Sequence, residues 1–318
     1  MPTANLSRAM TSVCESGSVC RNGFRVGGIG VELLGECQDV ALIPSLAPFQ
    51  THASAGDIQI RVEWVSELLP MSGAKLFDSG SVWRLYEEES CYRFDFTAAR
   101  LGASPYKRLL IDRGFGTANL LMNREAFEVS TEVAIAPLDY PLDELLIMHR
   151  LTRDRGIELH ACGVMNHDGT GNLFVGHSGA GKSTTARLWM KTRDIEILSD
   201  DRIIVRAEDR RPNSDGRSPG FRMYGTPWHG ESQYASPHSA ELSAVFILEH
   251  GQGNRLTRLT PSQATGELFA RSFVPFHRNE YVESALNFLE DVVAAVPVYR
   301  YQFEPDEQAV EAILNFHD

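Results

Sequence analysis

Gly176-His-Ser-Gly-Ala-Gly-Lys-Ser183 fits the Walker A template of Gly, four free positions, Gly, Lys and a hydroxyl residue. The spacing has a physical reason. Glycines let successive backbone N–H groups turn inward and cradle phosphate oxygens, while a lysine reaches the terminal phosphates as a point charge. The hydroxyl that follows can ligate Mg²⁺. The residues expected to contact a nucleotide are Gly176, Ser178, Gly179, Ala180, Gly181, Lys182, Ser183 and Thr184. His177 fills a free position and is expected to face outward. The alternative is a glycine-rich turn that merely caps a helix. The flanks favour the P-loop, because Asn172–Val175 reads as a strand running in and Thr184–Lys191 as a helix running out.

Downstream, Asp200 and Asp201 close a strand read at Ile195–Ser199, where phosphate-loop proteins place the acid that faces the nucleotide's metal. Two adjacent carboxylates suit a division of labour, in which one holds Mg²⁺ and the other orients or deprotonates an attacking hydroxyl. Which does which is open, and a plain Asp-Asp turn is the bland alternative. His160 lies on the strand before the loop, either as a core histidine or beside the transferred phosphate. Gly225-Thr-Pro-Trp-His-Gly-Glu231 could supply a further metal carboxylate in Glu231 and a substrate contact in His229, or form only a turn. Arg271 and Arg278 could each neutralise phosphate charge.

The 318 residues are enough for two domains, and a composition of 43% hydrophobic and 23% charged residues is that of a soluble globular chain. A formal net charge of −12 argues against a nucleic-acid or membrane partner, since both usually leave a basic footprint. The five cysteines (14, 20, 37, 91 and 162) are an odd number at irregular spacing, so unpaired thiols and a cytoplasmic location are expected. Residues 1–24 read as a mobile tail. Residues 25–137 read as a β-rich domain with strands at Arg25–Leu34, Ile58–Val65, Leu76–Ser79, Val82–Glu87, Cys91–Phe96, Lys107–Asp112, Ala118–Met122 and Phe127–Val133. Pro137–Pro141 is the joint. Residues 138–318 read as the nucleotide-binding domain, with helices at Leu142–Arg155, Pro261–Arg271, Tyr281–Val293 and Asp306–Phe316 and a polar loop at Asp209–Pro219.

In this order, His160, Gly176–Ser183, Leu198-Ser-Asp-Asp201 and Arg206 resemble the HPr kinase/phosphorylase-like (HPr kinase-related) family, whose core is shared with ATP-dependent phosphoenolpyruvate carboxykinase. The similarity covers residues 140–250. It implies an α/β fold: a phosphoenolpyruvate-carboxykinase-like P-loop kinase core, here behind an N-terminal β-rich domain unlike the family's own. It also implies that the loop binds ATP, that Lys182 stabilises the transferring phosphate and that Ser183 meets Mg²⁺. His160 would lie near the phosphoryl group, with Asp200 and Asp201 as base and metal contacts. The expected catalytic set is therefore His160, Lys182, Asp200 and Asp201, and the metal set is Ser183, Asp201 and Glu231. Family members phosphorylate a serine hydroxyl of a protein or peptide, so a peptide or protein with a Ser or Thr hydroxyl is the expected partner. A homo-oligomer is compatible with the resemblance. Two departures stand out: Thr184 replaces the family's Glu, and Gly225–Glu231 stands in place of its Arg-Gly-Leu-Gly run. The closer similarity is to HPr kinase-related proteins that resemble lasso-peptide kinases. A non-catalytic nucleotide-dependent regulatory module and a small-molecule phosphotransferase on the same core are the alternatives.

Overall fold

A computed structural model describes residues 19–51, 56–102, 104–128, 136–208, 220–306 and 308–316. Its first strands are β1 (Val19–Val26) and β2 (Ile29–Glu36), an antiparallel pair. Gly27 and Gly28 have φ of 57° and 77°, a left-handed region that glycine enters without penalty. They fold the expected single strand Arg25–Leu34 into a hairpin. β1 begins at Val19, inside the stretch expected to be a tail, and Phe24 is fully buried. Cys20 and Cys37 are disulfide-bonded, which corrects the expectation of unpaired thiols. Cys91 and Cys162 are free, and Cys14 lies outside the described residues.

Six further strands complete the first sheet: β3 (Ile58–Val65), β4 (Ala74–Asp78), β5 (Trp83–Glu87), β6 (Cys91–Phe96), β7 (Lys107–Asp112) and β8 (Thr117–Asn123). The order is β1-β2-β3-β8-β7-β6-β5-β4, parallel at β2/β3 and β3/β8 and otherwise antiparallel. A short helix, α1 (Arg124–Glu128), takes the start of the expected strand Phe127–Val133. The rest of that strand lies outside the described residues. Helix α2 (Leu142–Leu151) is shorter than expected and packs Leu142, Leu145 and Leu146 into the core of the first sheet. That core also takes in Ile204 and Trp228 from farther along the chain.

The second sheet starts with the long β9 (Gly156–Asn166) and β10 (Thr170–Val175), which leads through the glycine-rich loop into α3 (Lys182–Trp189). There follow β11 (Ile195–Ser199), β12 (Arg202–Ala207), β13 (Phe221–Tyr224), β14 (Ser239–His250) and β15 (Arg255–Arg258). The chain ends with α4 (Pro261–Phe269), β16 (Ser272–Phe273), α5 (Asn279–Ala295), β17 (Val298–Phe303) and α6 (Gln308–Leu314). The expected polar loop at 209–219 lies outside the described residues. Because β10 pairs with both β9 and β14, the strands β9, β12, β13, β14 and β10 close on themselves. Ala264 and Leu268 of α4 and Phe288 and Leu289 of α5 fill one core, and Trp189 of α3 and Val310 of α6 fill the other. The chain is thus mixed α/β, with two large mixed sheets and few helices. Among the described residues no helix is long and apolar enough to cross a membrane.

Candidate functional site

The site forms where β9 changes neighbours. On one side β16 pairs with Leu159 and Glu158, and β10 takes over from Ala161 onward. On the other, β12 pairs up to His160 and β11 from Gly163. His160 sits at both breaks. Its N–H donates to Arg271 O (2.8 Å), and its C=O accepts from Gly176 N (3.2 Å), the first residue of the loop. Next to it, Ala161 N donates to Asp201 O (3.1 Å). One strand residue therefore gathers the loop entrance, Asp201 and Arg271.

The loop turns on Gly179 (φ 80°) and Gly181 (φ 103°). Thr185 is the first α3 residue to bond back, from its N to Gly181 O (2.8 Å). The N–H groups of Lys182, Ser183 and Thr184 thus have no acceptor within the helix, and Gly181 supplies no side-chain cap. Such an uncapped first turn favours an anion. The Lys182 ammonium is buried and donates to Gly176 O (2.9 Å) and His177 O (3.0 Å). Burial brings its pKa down to about 8, against the upward pull of Asp201. His250, at the end of β14, pins the loop apex by a 2.8 Å hydrogen bond between Nε2 and Gly179 O. His177, Ser178 and Gly179 are exposed, and Ser183 and Thr184 are half-buried.

The two adjacent acids have different surroundings. Asp200 is 1% exposed and accepts N–H bonds from Gly230 (2.9 Å) and Ser232 (3.0 Å), one to each oxygen. It is a brace for the 228–232 segment. Asp201 is hydrogen-bonded through Oδ1 to His160 Nε2 (2.8 Å) and ion-paired through Oδ2 with Arg202. Burial pushes its pKa up, but the His160 bond and the charges of Arg202 and Lys182 outweigh it, so the group is held as a carboxylate below its usual range. Lys182 and Asp201 are close enough to shift each other's titration. Arg202 is itself braced, with Nε at 2.9 Å from Glu144 Oε1 and 3.5 Å from Glu158 Oε1, and its guanidinium 4.1 Å from the centre of the Phe273 ring. Burial raises the fully enclosed Glu158 well above the usual carboxylate range, and its neighbour Glu144 adds to the effect.

Glu231 is exposed on the segment next to the paired acids, and among the described residues no three His, Cys, Asp or Glu side chains form a group that could hold a metal ion. Its segment is firmly anchored: Trp228 donates to Asp143 Oδ2 (2.9 Å), and Gly225 leaves no room for a Cβ against Leu198 O and Ser236 O. His229 is exposed. Arg271 is electrostatically coupled to the loop, its charge being the largest influence lowering the pKa of His177. Its Nη1 is held by Glu267, while its buried Nε has no hydrogen-bond partner among the described residues. Arg278 and Arg206 lie elsewhere, tying the sheets together: Arg278 binds Tyr92 OH and Glu87 (2.5 Å each), and Arg206 binds Gly27 O (2.9 Å) and Asp154 O (3.3 Å). Sequence reading missed Arg202, Glu144, Glu158 and His250. Arg202 carried a local signal, a cation directly after paired acids; the other three come from α2, β9 and β14 and carried none. The sequence matches no protein-family model and no curated protein.

Proposed function

We propose that this chain is an ATP-dependent kinase that transfers a phosphoryl group to a hydroxyl, of the Ser type, on a peptide or protein. The observation that carries the reading is the carboxylate of Asp201, hydrogen-bonded to His160 and electrostatically coupled to Lys182 of the glycine-rich loop. The acceptor class rests on the resemblance of His160, Gly176–Ser183 and Leu198–Asp201 to HPr kinase-related proteins.

The residues present fit the groups this chemistry needs. A buried ammonium, three helix-entry N–H groups and left-handed glycines fit a phosphate chain, and the hard hydroxyl oxygen of Ser183 fits Mg²⁺. When bound, ATP supplies the phosphoryl group and Mg²⁺ neutralises part of its charge. The chain does the rest. Asp201 orients the acceptor hydroxyl and takes its proton as the new O–P bond forms and the bridging P–O bond to the leaving diphosphate breaks. His160 and Arg202 fix the direction of that carboxylate. Lys182, with Arg271 beyond it, balances charge on the transferring group. Asp200 keeps the adjoining segment in place and takes no part in proton transfer.

Two variants test the reading. Calorimetric titration of the wild-type chain with MgATP is expected to show binding that Lys182→Ala abolishes. Asp201→Asn should still bind MgATP, yet transfer no label from γ-labelled ATP to a Ser-containing peptide library. A wild-type chain that binds no MgATP would sink the proposal, as would undiminished transfer by both variants.

A further inference from the structure

Strand β4 stands at the end of the first sheet and, among the described residues, pairs only with β5. An end strand offers its outer N–H and C=O groups to any further strand, and chains usually shield it. In β4 the pairing register breaks between Lys75 and Phe77: Lys75 lies opposite Tyr86, and Phe77 opposite Leu85. This bulge reorders the faces. Phe77 is on the core face, stacked on Trp83 with ring centroids 4.9 Å apart, and Leu76 packs against the same core. Lys75 and Asp78 share the outer face, 3.1 Å apart. Phe77 is still 41% exposed, so its packing is unfinished on the open side.

Lys75-Leu-Phe-Asp78 is complementary to its own antiparallel copy. In a register centred between Leu76 and Phe77, Lys75 falls opposite the second copy's Asp78 on the outer face. Leu76 then falls opposite the second copy's Phe77 on the core face. Each pair occurs twice about a two-fold axis, the isologous arrangement that a symmetric dimer needs. In a regular strand, residues 75 and 78 would point to opposite faces and this register would fail; the bulge permits it.

We propose that β4 is a dimer edge, on which a second copy of this chain adds its own β4 antiparallel and joins two eight-stranded sheets into one. The inference is independent of the reading of the glycine-rich loop. Sedimentation equilibrium of the full chain, from low micromolar to sub-millimolar concentration, should show a monomer–dimer equilibrium. Lys75→Asp sets like charges opposite each other, and so does Asp78→Lys; each should weaken self-association roughly tenfold or more. Mixed in equal amounts, the two variants should dimerise with each other, because each change complements the other's across the pair. That recovery also shows that both variants fold. A wild-type chain that stays monomeric throughout overturns the proposal. So does a dimer indifferent to both changes, and so do variants that lose self-association and fail to recover it on mixing.

Discussion

In Asp200→Asn, one of the two oxygens that accept the N–H groups of Gly230 (2.9 Å) and Ser232 (3.0 Å) becomes an amide that can only donate. One charge-assisted hydrogen bond is lost, worth about 1.5–3 kcal/mol, and a donor is left facing a donor. Relief from burying a charge offsets part of this. The expected net destabilisation is about 2 kcal/mol, rising to about 3–4 kcal/mol for Asp200→Ala, which leaves both N–H groups without a partner. Asp201→Asn is a different perturbation. Its side chain is 26% exposed, and Arg202 keeps Glu144 and Glu158. It should therefore cost no more than about 1 kcal/mol. Urea denaturation followed by far-ultraviolet circular dichroism measures both. In parallel, phosphoryl transfer well below the melting temperature should fall about 100-fold or more in Asp201→Asn and stay within about tenfold of wild type in Asp200→Asn. The assignment of brace and base is refuted if Asp200→Asn is as stable as wild type to within about 0.5 kcal/mol and still loses transfer.

Three other outcomes follow from the same geometry. Burial holds His149 down to about 3 and His277 down to about 4, with Arg278 adding to the second, so unfolding takes up protons that the folded seam refuses. Stability from these two groups is complete above the ordinary value of 6.5 and is lost as pH falls towards about 4 and then 3. In His149→Phe, which keeps a ring against Phe115, the fall in unfolding free energy between pH 6 and pH 4 should be shallower by up to about 1.4 kcal/mol per pH unit; equal slopes in urea titrations would refute this. Gly181→Ala should destabilise by about 1–3 kcal/mol and abolish nucleotide binding. The reason is that φ is 103° and a Cβ would lie 2.5 Å from Phe303 Cζ. Gly179→Ala, with nothing within 4 Å of its Cβ, should cost less, and calorimetry of the pair checks the order. Reducing Cys20–Cys37, 17 residues apart in sequence, should lower stability by about 3 kcal/mol, read as a shift in the urea midpoint with dithiothreitol.

What the sequence made legible was whatever lies in consecutive residues. β3, β6 and β7 have the bounds expected from short runs between turn residues; in β3 one face is buried and the other open, whereas β6 is buried on both faces, its charged Arg93 and Asp95 paired with each other. The glycine-rich loop is readable for the same reason, since its template is eight residues in a row. The hairpin at Gly27–Gly28 was missed because apolar residues run up to it from both sides and hide a two-residue turn signal. α2 was read with the second domain because it follows the joint, yet its apolar face enters the core of the first sheet. The site shows this limit most sharply. Asp200 and Asp201 are chemically identical neighbours, and no local pattern separates them. Their surroundings diverge because Gly230 and Ser232 arrive from thirty residues away to occupy Asp200, while His160, placed by the break between β16 and β10, takes Asp201. Arg202 follows the same logic: its neighbour Asp201 is visible in sequence, but the Glu144 and Glu158 that hold it come from two other elements. Residue type and spacing thus nominate the chemistry, and groups distant in sequence decide that Asp200 is held by backbone N–H groups while Asp201 faces the side chains of His160 and Arg202.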